Sequence, residues 1–149
     1  MFKLDIVLPE MLYSEVLEVD ERIAADSTVL CPLDLAVATD SMAAARERGM
    51  EAVAIVLVHG YRHTEHEAAL AAAAREIGFG QVSVSHEIDP LVKIVPRGDT
   101  TVADAYLSPI LDRSAREVFN YYGGILHGAR FRKVRGQQAL RAAASVVAG

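Results

Sequence analysis

Polar side chains suited to chemistry occupy two loops, each of which follows an apolar stretch of the sequence. They are His59, His63, His86 and Glu87. Imidazoles bind metals and act as general bases near neutral pH, so their convergence would create a metal site or a proton acceptor. The alternative is that these histidines, like His66, are solvated, cap a helix or bond loop carbonyls. The sequence has no paired cysteines and no His-x-x-x-Asp spacing, so it favours the alternative and predicts no metal site.

A second candidate site is the run Arg97-Gly98-Asp99-Thr100-Thr101, which combines a cation, a glycine and two hydroxyls. It precedes an expected helix, whose first amide hydrogens would be free to bind a phosphate or a carboxylate. The alternative is an ordinary N-capped turn, in which Pro96-Arg97-Gly98-Asp99 precede the helix. The side chains expected nearest a substrate or anion are Arg97, Asp99, Thr100 and Thr101. Two imidazoles, those of His59 and His86, are expected behind them. The catalytic residues are unknown, because no complete catalytic set is evident.

Composition limits the classes of partner and compartment. The chain has 149 residues, 52% of them hydrophobic, and its net charge is −5. The acidic balance argues against nucleic acid or an anionic membrane as the main partner. The single Cys31 excludes an intramolecular disulfide, and the first residues lack the apolar core of a signal peptide. These features predict a cytoplasmic protein in which Cys31 is a small buried residue.

The loops with the histidines must be positioned by a strand–helix–strand unit. Residues 52–58 form an unbroken apolar run, which is typical of a parallel strand buried on both faces. Thr64 and Glu67 have the spacing of a capping box, in which each side chain bonds the backbone amide of the other residue. The helix they begin should end before Gly78, and residues 81–85 should form the second strand. We therefore predict an α/β fold with a small, mostly parallel sheet and flanking helices.

The remaining elements follow from local signals. Residues 14–23 mix apolar and charged positions and predict a half-exposed edge strand. Asp34 is suited to cap a helix that runs to Arg48 and ends at Gly49. A third helix is predicted from about residue 100 to 113, with Pro109 inside it. The expected core consists of Val53, Ile55, Leu57, Leu70, Ile77, Val82 and Val84.

The composition changes at about residue 114, where a basic tail begins. We therefore divide the chain into an α/β domain over residues 1–113 and a divergent tail over residues 114–149.

Several short blocks of the sequence resemble a known family, in the same order and at similar spacing. They are residues 5–10 (DIVLPE), 18–22 (EVDER), 32–34 (PLD), 52–61 (AVAIVLVHGY), 65–67 (EHE), 82–87 (VSVSHE) and 100–109 (TTVADAYLSP). Together they cover about residues 2–113. They resemble the N-terminal region of the hydantoinase A/5-oxoprolinase family, and the 5-oxoprolinase branch is nearest.

The resemblance implies part of an actin/sugar-kinase-like ATPase fold. It also implies an enzyme that opens a cyclic amide, either 5-oxoproline or a hydantoin, and uses ATP and Mg²⁺ for this reaction. The family's first phosphate loop lies before the matched region, and the tail resembles a degenerate start of the next segment. The expectation is an internal fragment of a larger hydrolase that binds no cofactor and is inactive by itself. Its partners would be the remainder of the hydrolase or further copies of itself. The alternative is a non-catalytic binding or assembly module that keeps the fold.

Overall fold

The computed structural model describes residues 11–123 and 144–148, with side chains described from residue 11 to residue 117. This part of the chain contains six strands and four helices. In order they are β1 (Tyr13–Glu18), β2 (Arg22–Ile23), β3 (Val29–Cys31), α1 (Leu35–Glu47), β4 (Ala52–Val56), α2 (Glu65–Ile77), β5 (Gln81–Val84), α3 (Ser85–Ile88), α4 (Ile94–Gly123) and β6 (Ala144–Ala148).

The main sheet has four strands in the order β1-β6-β4-β5, and all of its neighbouring strands are parallel. This confirms the predicted α/β class with a small, mostly parallel sheet. β1 lies at one edge, as predicted, but it ends at Glu18 rather than Ile23. Ile23 belongs instead to β2, which pairs with β3 in a separate antiparallel ribbon. The predicted edge strand was therefore too long, because the pairing with β6 ends at Glu18 although the alternation of burial continues to Ile23.

Strand β4 is buried on both faces, as its continuous apolar sequence predicts. Val53 and Ile55 belong to a core cluster shared with α1 and α2, whereas Ala54 packs with Val102 and Ala105 of α4. Successive side chains of a strand point to opposite faces. The sheet therefore lies between α1 and α2 on one face and α4 on the other.

All seven predicted core residues lie in or against the larger cluster. Val53, Ile55, Leu57, Leu70 and Val84 are buried, while Ile77 and Val82 are partly buried and pack on them. Cys31, predicted to be buried, is only half-buried. No helix within the described ranges is long and apolar enough to cross a bilayer.

The ends of α1 and α2 follow the predicted signals. The Asp34 carboxylate accepts hydrogen bonds from the amides of Ala36 and Val37 at 3.1 Å, which confirms it as the N-cap of α1. Gly49 and Gly78 follow α1 and α2 with φ angles of 97° and 95°, in the left-handed region that glycine adopts without a steric penalty.

Helix α4 begins earlier than predicted, at Ile94 rather than near residue 100, and contains Pro109 as expected. Pro96 lies in its first turn, where a missing amide hydrogen removes no intrahelical bond. Gly98 lies close to the sheet, since a Cβ there would be 3.8 Å from Cγ1 of Val56. The proline and glycine that suggested a turn are thus parts of the helix. The helix also continues through residue 114, and the division into two regions at that point stays a prediction.

Candidate functional site

A buried carboxylate, that of Glu67, joins the ends of β4 and β5. Its Oε1 accepts a hydrogen bond from the backbone amide of Leu57 at 2.8 Å and from the hydroxyl of Ser85 at 2.6 Å. Its Oε2 lies 2.7 Å from Nδ1 of His86 and accepts a bond from the His86 amide at 3.2 Å. The Glu67 side chain is fully buried, so these four donors replace its hydration.

This geometry shows that the capping-box prediction for Thr64 and Glu67 was wrong. Thr64 makes no side-chain capping bond, and its backbone is in the αR region rather than extended. The Glu67 carboxylate turns away from its own helix end and towards Leu57, just after β4, and the first two residues of α3. These two segments provide four donors in a buried space, whereas the helix end would provide one amide.

Arg97 is the largest fully buried side chain of the described region, and it holds the chain just beyond β4. Its Nη1 donates to the carbonyl of Leu91 at 2.7 Å, and its Nη2 donates to the carbonyls of Leu57 and Val58. The guanidinium also lies 5.6 Å from the centre of the Tyr61 ring. Arg97 therefore fixes the same loop that Glu67 binds through the amide of Leu57.

The charge environment of Arg97 reflects this burial. Loss of hydration lowers the pKa of its guanidinium from the ordinary value, and the negative charge of Glu67 and the phenol of Tyr61 act in the opposite direction. The two buried charges therefore partly compensate each other. The Arg97 Nε is buried and has no hydrogen-bond partner among the residues described.

The other residues of the predicted anion site lie within α4. Thr100 and Thr101 donate their hydroxyls to the carbonyls of Pro96 and Arg97 at 2.8 and 2.7 Å, one helical turn back. Asp99 is exposed. Since α4 starts at Ile94, the amide hydrogens expected to be free near residue 100 lie past the first turn of the helix, so that premise was wrong. Ligand binding by these four residues stays a prediction.

The predicted histidines have separate partners. His59 Nδ1 lies 2.5 Å from the carbonyl of Ile23, while His66 Nδ1 lies 2.9 Å from a Glu21 carboxylate oxygen. The Nε2 atom of His63 is buried, with no hydrogen-bond partner among the described residues. Within the same part of the chain, no group of three histidine, cysteine or carboxylate side chains is arranged to hold a metal ion. His86 alone of these histidines contacts Glu67.

One sequence pattern indicates that Glu67 is buried, and an interpretation based on helix propensities missed it. Glu67, Leu70, Ala71 and Ala74 are buried and follow one face of α2. A charged residue on the apolar face of a helix requires polar partners, because an unpaired buried charge is strongly unfavourable. No local sequence pattern indicates that position 60 requires glycine. A Cβ at Gly60 would be 2.1 Å from Oε1 of Glu67, and this close approach depends on how the loop packs against α2.

These elements define an α/β domain with a buried carboxylate and a buried guanidinium where β4 and β5 end. The sequence model of the family described as the hydantoinase/oxoprolinase N-terminal region matches residues 1–78, which is over half of the chain. The chain therefore belongs to the hydantoinase/oxoprolinase family.

Several relatives share part of the sequence. A 5-oxoprolinase of Dictyostelium discoideum is 31% identical over 74% of the chain and 11% of its own length. The 5-oxoprolinase 1 of Arabidopsis thaliana is 33% identical over 74% of the chain and 10% of its own length. The alpha subunit of a caprolactamase from Pseudomonas jessenii is 36% identical over 62% of the chain and 13% of its own length. The chain thus spans only about a tenth of the relatives it matches.

A solved structure resembles the domain in three dimensions. The crystal structure of the ATP-dependent caprolactamase from Pseudomonas jessenii superimposes with a TM-score of 0.67 and 27% sequence identity. The similarity covers 82% of this chain and 19% of the caprolactamase chain. Sequence and structure comparisons therefore agree on the family.

Proposed function

We propose that this chain forms part of an ATP-dependent hydrolase that opens cyclic amides, of the 5-oxoprolinase or hydantoinase type. The observation that carries the proposal is the similarity of 82% of the chain to an ATP-dependent caprolactamase. The relatives of this chain include 5-oxoprolinases, and both caprolactam and 5-oxoproline are cyclic amides. In such an enzyme the domain would be a section of an actin/sugar-kinase-like ATPase fold and one wall of the substrate site.

ATP and Mg²⁺ belong to the larger hydrolase in this proposal. A nucleoside triphosphate needs free amide or cationic donors, and Mg²⁺ needs oxygen ligands. Over the described side chains, both terminal nitrogens of Arg97 bond carbonyls, and the hydroxyls of Thr100 and Thr101 donate to carbonyls of their own helix. These residues do not fit a phosphate group as they stand. We therefore assign nucleotide binding to the rest of the enzyme.

The first experiment measures nucleotide binding and turnover by the purified 149-residue chain. We expect no saturable heat on titration with millimolar Mg·ATP, and no phosphate release with or without 5-oxoproline. Loss of a single preorganised donor to a developing charge already lowers rates by about 10²–10³-fold, and this proposal places several such donors elsewhere. An intact 5-oxoprolinase in the same assay provides the positive control. Saturable ATP binding with 5-oxoproline-dependent phosphate release by the chain alone would contradict the proposal.

A second candidate function is a non-catalytic binding or assembly module. It is favoured by the exposed apolar side chains of Leu91, Val92 and Val95, which are 47%, 67% and 68% exposed around the start of α4. Such residues are suited to pack against the remainder of a hydrolase or a second copy of the chain. Sedimentation of the purified chain over a range of concentrations distinguishes a self-associating module from a monomer. Val92→Asp should weaken self-association if this surface mediates it.

The proposed cellular location is the cytoplasm. The half-buried thiol of Cys31 is free and is the only cysteine of the sequence. A free thiol is compatible with a reducing compartment.

A further inference from the structure

We infer that Glu67 and His86 form a hydrogen-bonding dyad that recognises the ring N–H of a cyclic amide. In this dyad, Glu67 is the positioning residue and Nε2 of His86 is the acceptor. The inference rests on the proposed function and adds to it a specificity-determining residue at a named atom.

The surroundings of Glu67 fix the position of this hydrogen. The carboxylate accepts from two backbone amides and one hydroxyl, so it acts as an acceptor on both oxygens. The remaining contact, 2.7 Å between Oε2 and Nδ1 of His86, therefore has its hydrogen on Nδ1. A neutral imidazole with its hydrogen on Nδ1 has a lone pair on Nε2. Glu67 thus selects the tautomer in which Nε2 accepts.

The neighbouring charge of Arg97 makes the neutral imidazole compatible with a buried carboxylate. Arg97 is fully buried, and its guanidinium interacts electrostatically with Glu67. Glu67 therefore has a compensating positive charge near it, even when His86 carries none.

The outer part of the His86 imidazole is accessible. The His86 side chain is 17% exposed, whereas Glu67 is completely buried. Nδ1 faces the buried carboxylate, and Nε2 lies on the opposite side of the ring. The exposed part of the ring therefore lies towards Nε2, at the carboxyl end of β5, where ligands of parallel sheets commonly bind.

The chemistry of this acceptor matches one group of the proposed substrate class. A lactam such as 5-oxoproline has a single ring N–H donor beside its carbonyl, and an imidazole of fixed tautomer offers an acceptor and no donor at Nε2. A site that accepts from a substrate N–H discriminates strongly against an analogue that lacks it. The dyad should therefore reject N-alkylated rings.

The first test measures the tautomer of His86 in the full 149-residue chain by nitrogen NMR of ¹⁵N-labelled histidine. We expect hydrogen on Nδ1 and a bare Nε2 in the original protein. Glu67→Gln should remove this preference, whereas Glu76→Gln, an exposed change on the same helix, should preserve it. Hydrogen on Nε2 in the original protein would overturn the inference.

The second test titrates the same chain with 2-pyrrolidinone and with N-methyl-2-pyrrolidinone. We expect a saturable change of the His86 Nε2 signal with 2-pyrrolidinone and at least about tenfold weaker binding of the N-methyl compound. Equal responses to the two amides, or no response of His86 to 2-pyrrolidinone, would overturn the inference.

The variant His86→Asn separates recognition from a structural role. Its side-chain amide retains a donor for Glu67 but places no acceptor where Nε2 lies. We expect a folded protein, judged by its backbone NMR spectrum, that no longer discriminates between the two amides. Unchanged discrimination would assign His86 a structural role only. An intact 5-oxoprolinase-type enzyme carrying this domain could release phosphate although His86 responds equally to amides with and without a ring N–H. That result would support the proposed function and overturn the proposed dyad.

Discussion

Gly60 and Glu67 approach each other so closely that no side chain fits between them. An ideal Cβ on Gly60 would lie 2.1 Å from Oε1 of Glu67, well inside van der Waals contact. That oxygen is held by the amide of Leu57 and the hydroxyl of Ser85, so it has no free position to move to. The loop after β4 therefore requires glycine because of a neighbouring carboxylate, not because of an unusual backbone angle.

Replacing Gly60 with alanine should destabilise the domain by about 1–3 kcal/mol, since the added methyl group displaces a buried, hydrogen-bonded carboxylate. Gly98→Ala is the matched control. Its Cβ would meet Val56 at an ordinary contact distance of 3.8 Å, and alanine favours a helix. Urea denaturation monitored by circular dichroism measures both variants. Equal stabilities of the two variants would show that the Gly60–Glu67 approach is unimportant.

Glu67→Gln should lower the free energy of unfolding by about 2–4 kcal/mol, because an NH₂ group then faces donors that the carboxylate had accepted. The exposed Glu76, near the end of the same helix, provides the control. Glu76→Gln should change stability by less than about 0.5 kcal/mol. Chemical denaturation under identical conditions measures the free energy of unfolding of both variants. An effect of Glu67→Gln as small as that of the control would refute a structural role for the carboxylate.

Arg97→Lys should destabilise the domain by about 2–4 kcal/mol despite the retained positive charge. A single ammonium group does not reproduce the planar guanidinium that reaches the carbonyls of Leu91 and Val58 together. Arg75→Lys, at an exposed position of α2, should be nearly neutral. Thermal unfolding by calorimetry compares the two. A lysine at position 97 that preserves the melting temperature would show that charge alone suffices there.

Ile55→Ala should cost about 2–5 kcal/mol through lost burial and the cavity left behind. Ile55 is completely buried in β4, whereas Val37 on α1 is 61% exposed. Val37→Ala should therefore have little effect. Equilibrium unfolding in urea measures the difference, and a cost near zero for Ile55→Ala would remove it from the core.

Elements with strong local signals could be predicted from the sequence. The carboxylate cap at Asp34, the glycine stop at Gly78 and the continuous apolar sequence of β4 each act over a few residues. These signals reflect backbone hydrogen bonding and burial, which neighbouring residues largely determine. The core residues followed from the same pattern.

Features that depend on distant contacts could not be predicted. The spacing of Thr64 and Glu67 suits a capping box, and nothing local distinguishes that from a carboxylate directed at Leu57 and Ser85. Pro96 and Gly98 suggested a turn, although close packing on β4 makes both compatible with α4. Strand β6 was also missed, because a short run of small apolar residues has no local signal that sets its position.

The placement of β6 has a consequence for biosynthesis. β1 joins the sheet only through β6, so Tyr13 pairs with Ala144 across almost the whole chain. As the polypeptide leaves the ribosome, β4, α2 and β5 emerge close together and can assemble early, whereas β1 has no sheet partner until β6 has been made. Pairing so remote in sequence slows folding. During that interval β1 is an unpaired strand, and its own charged residues, Glu15 and Glu18, discourage association with other nascent chains.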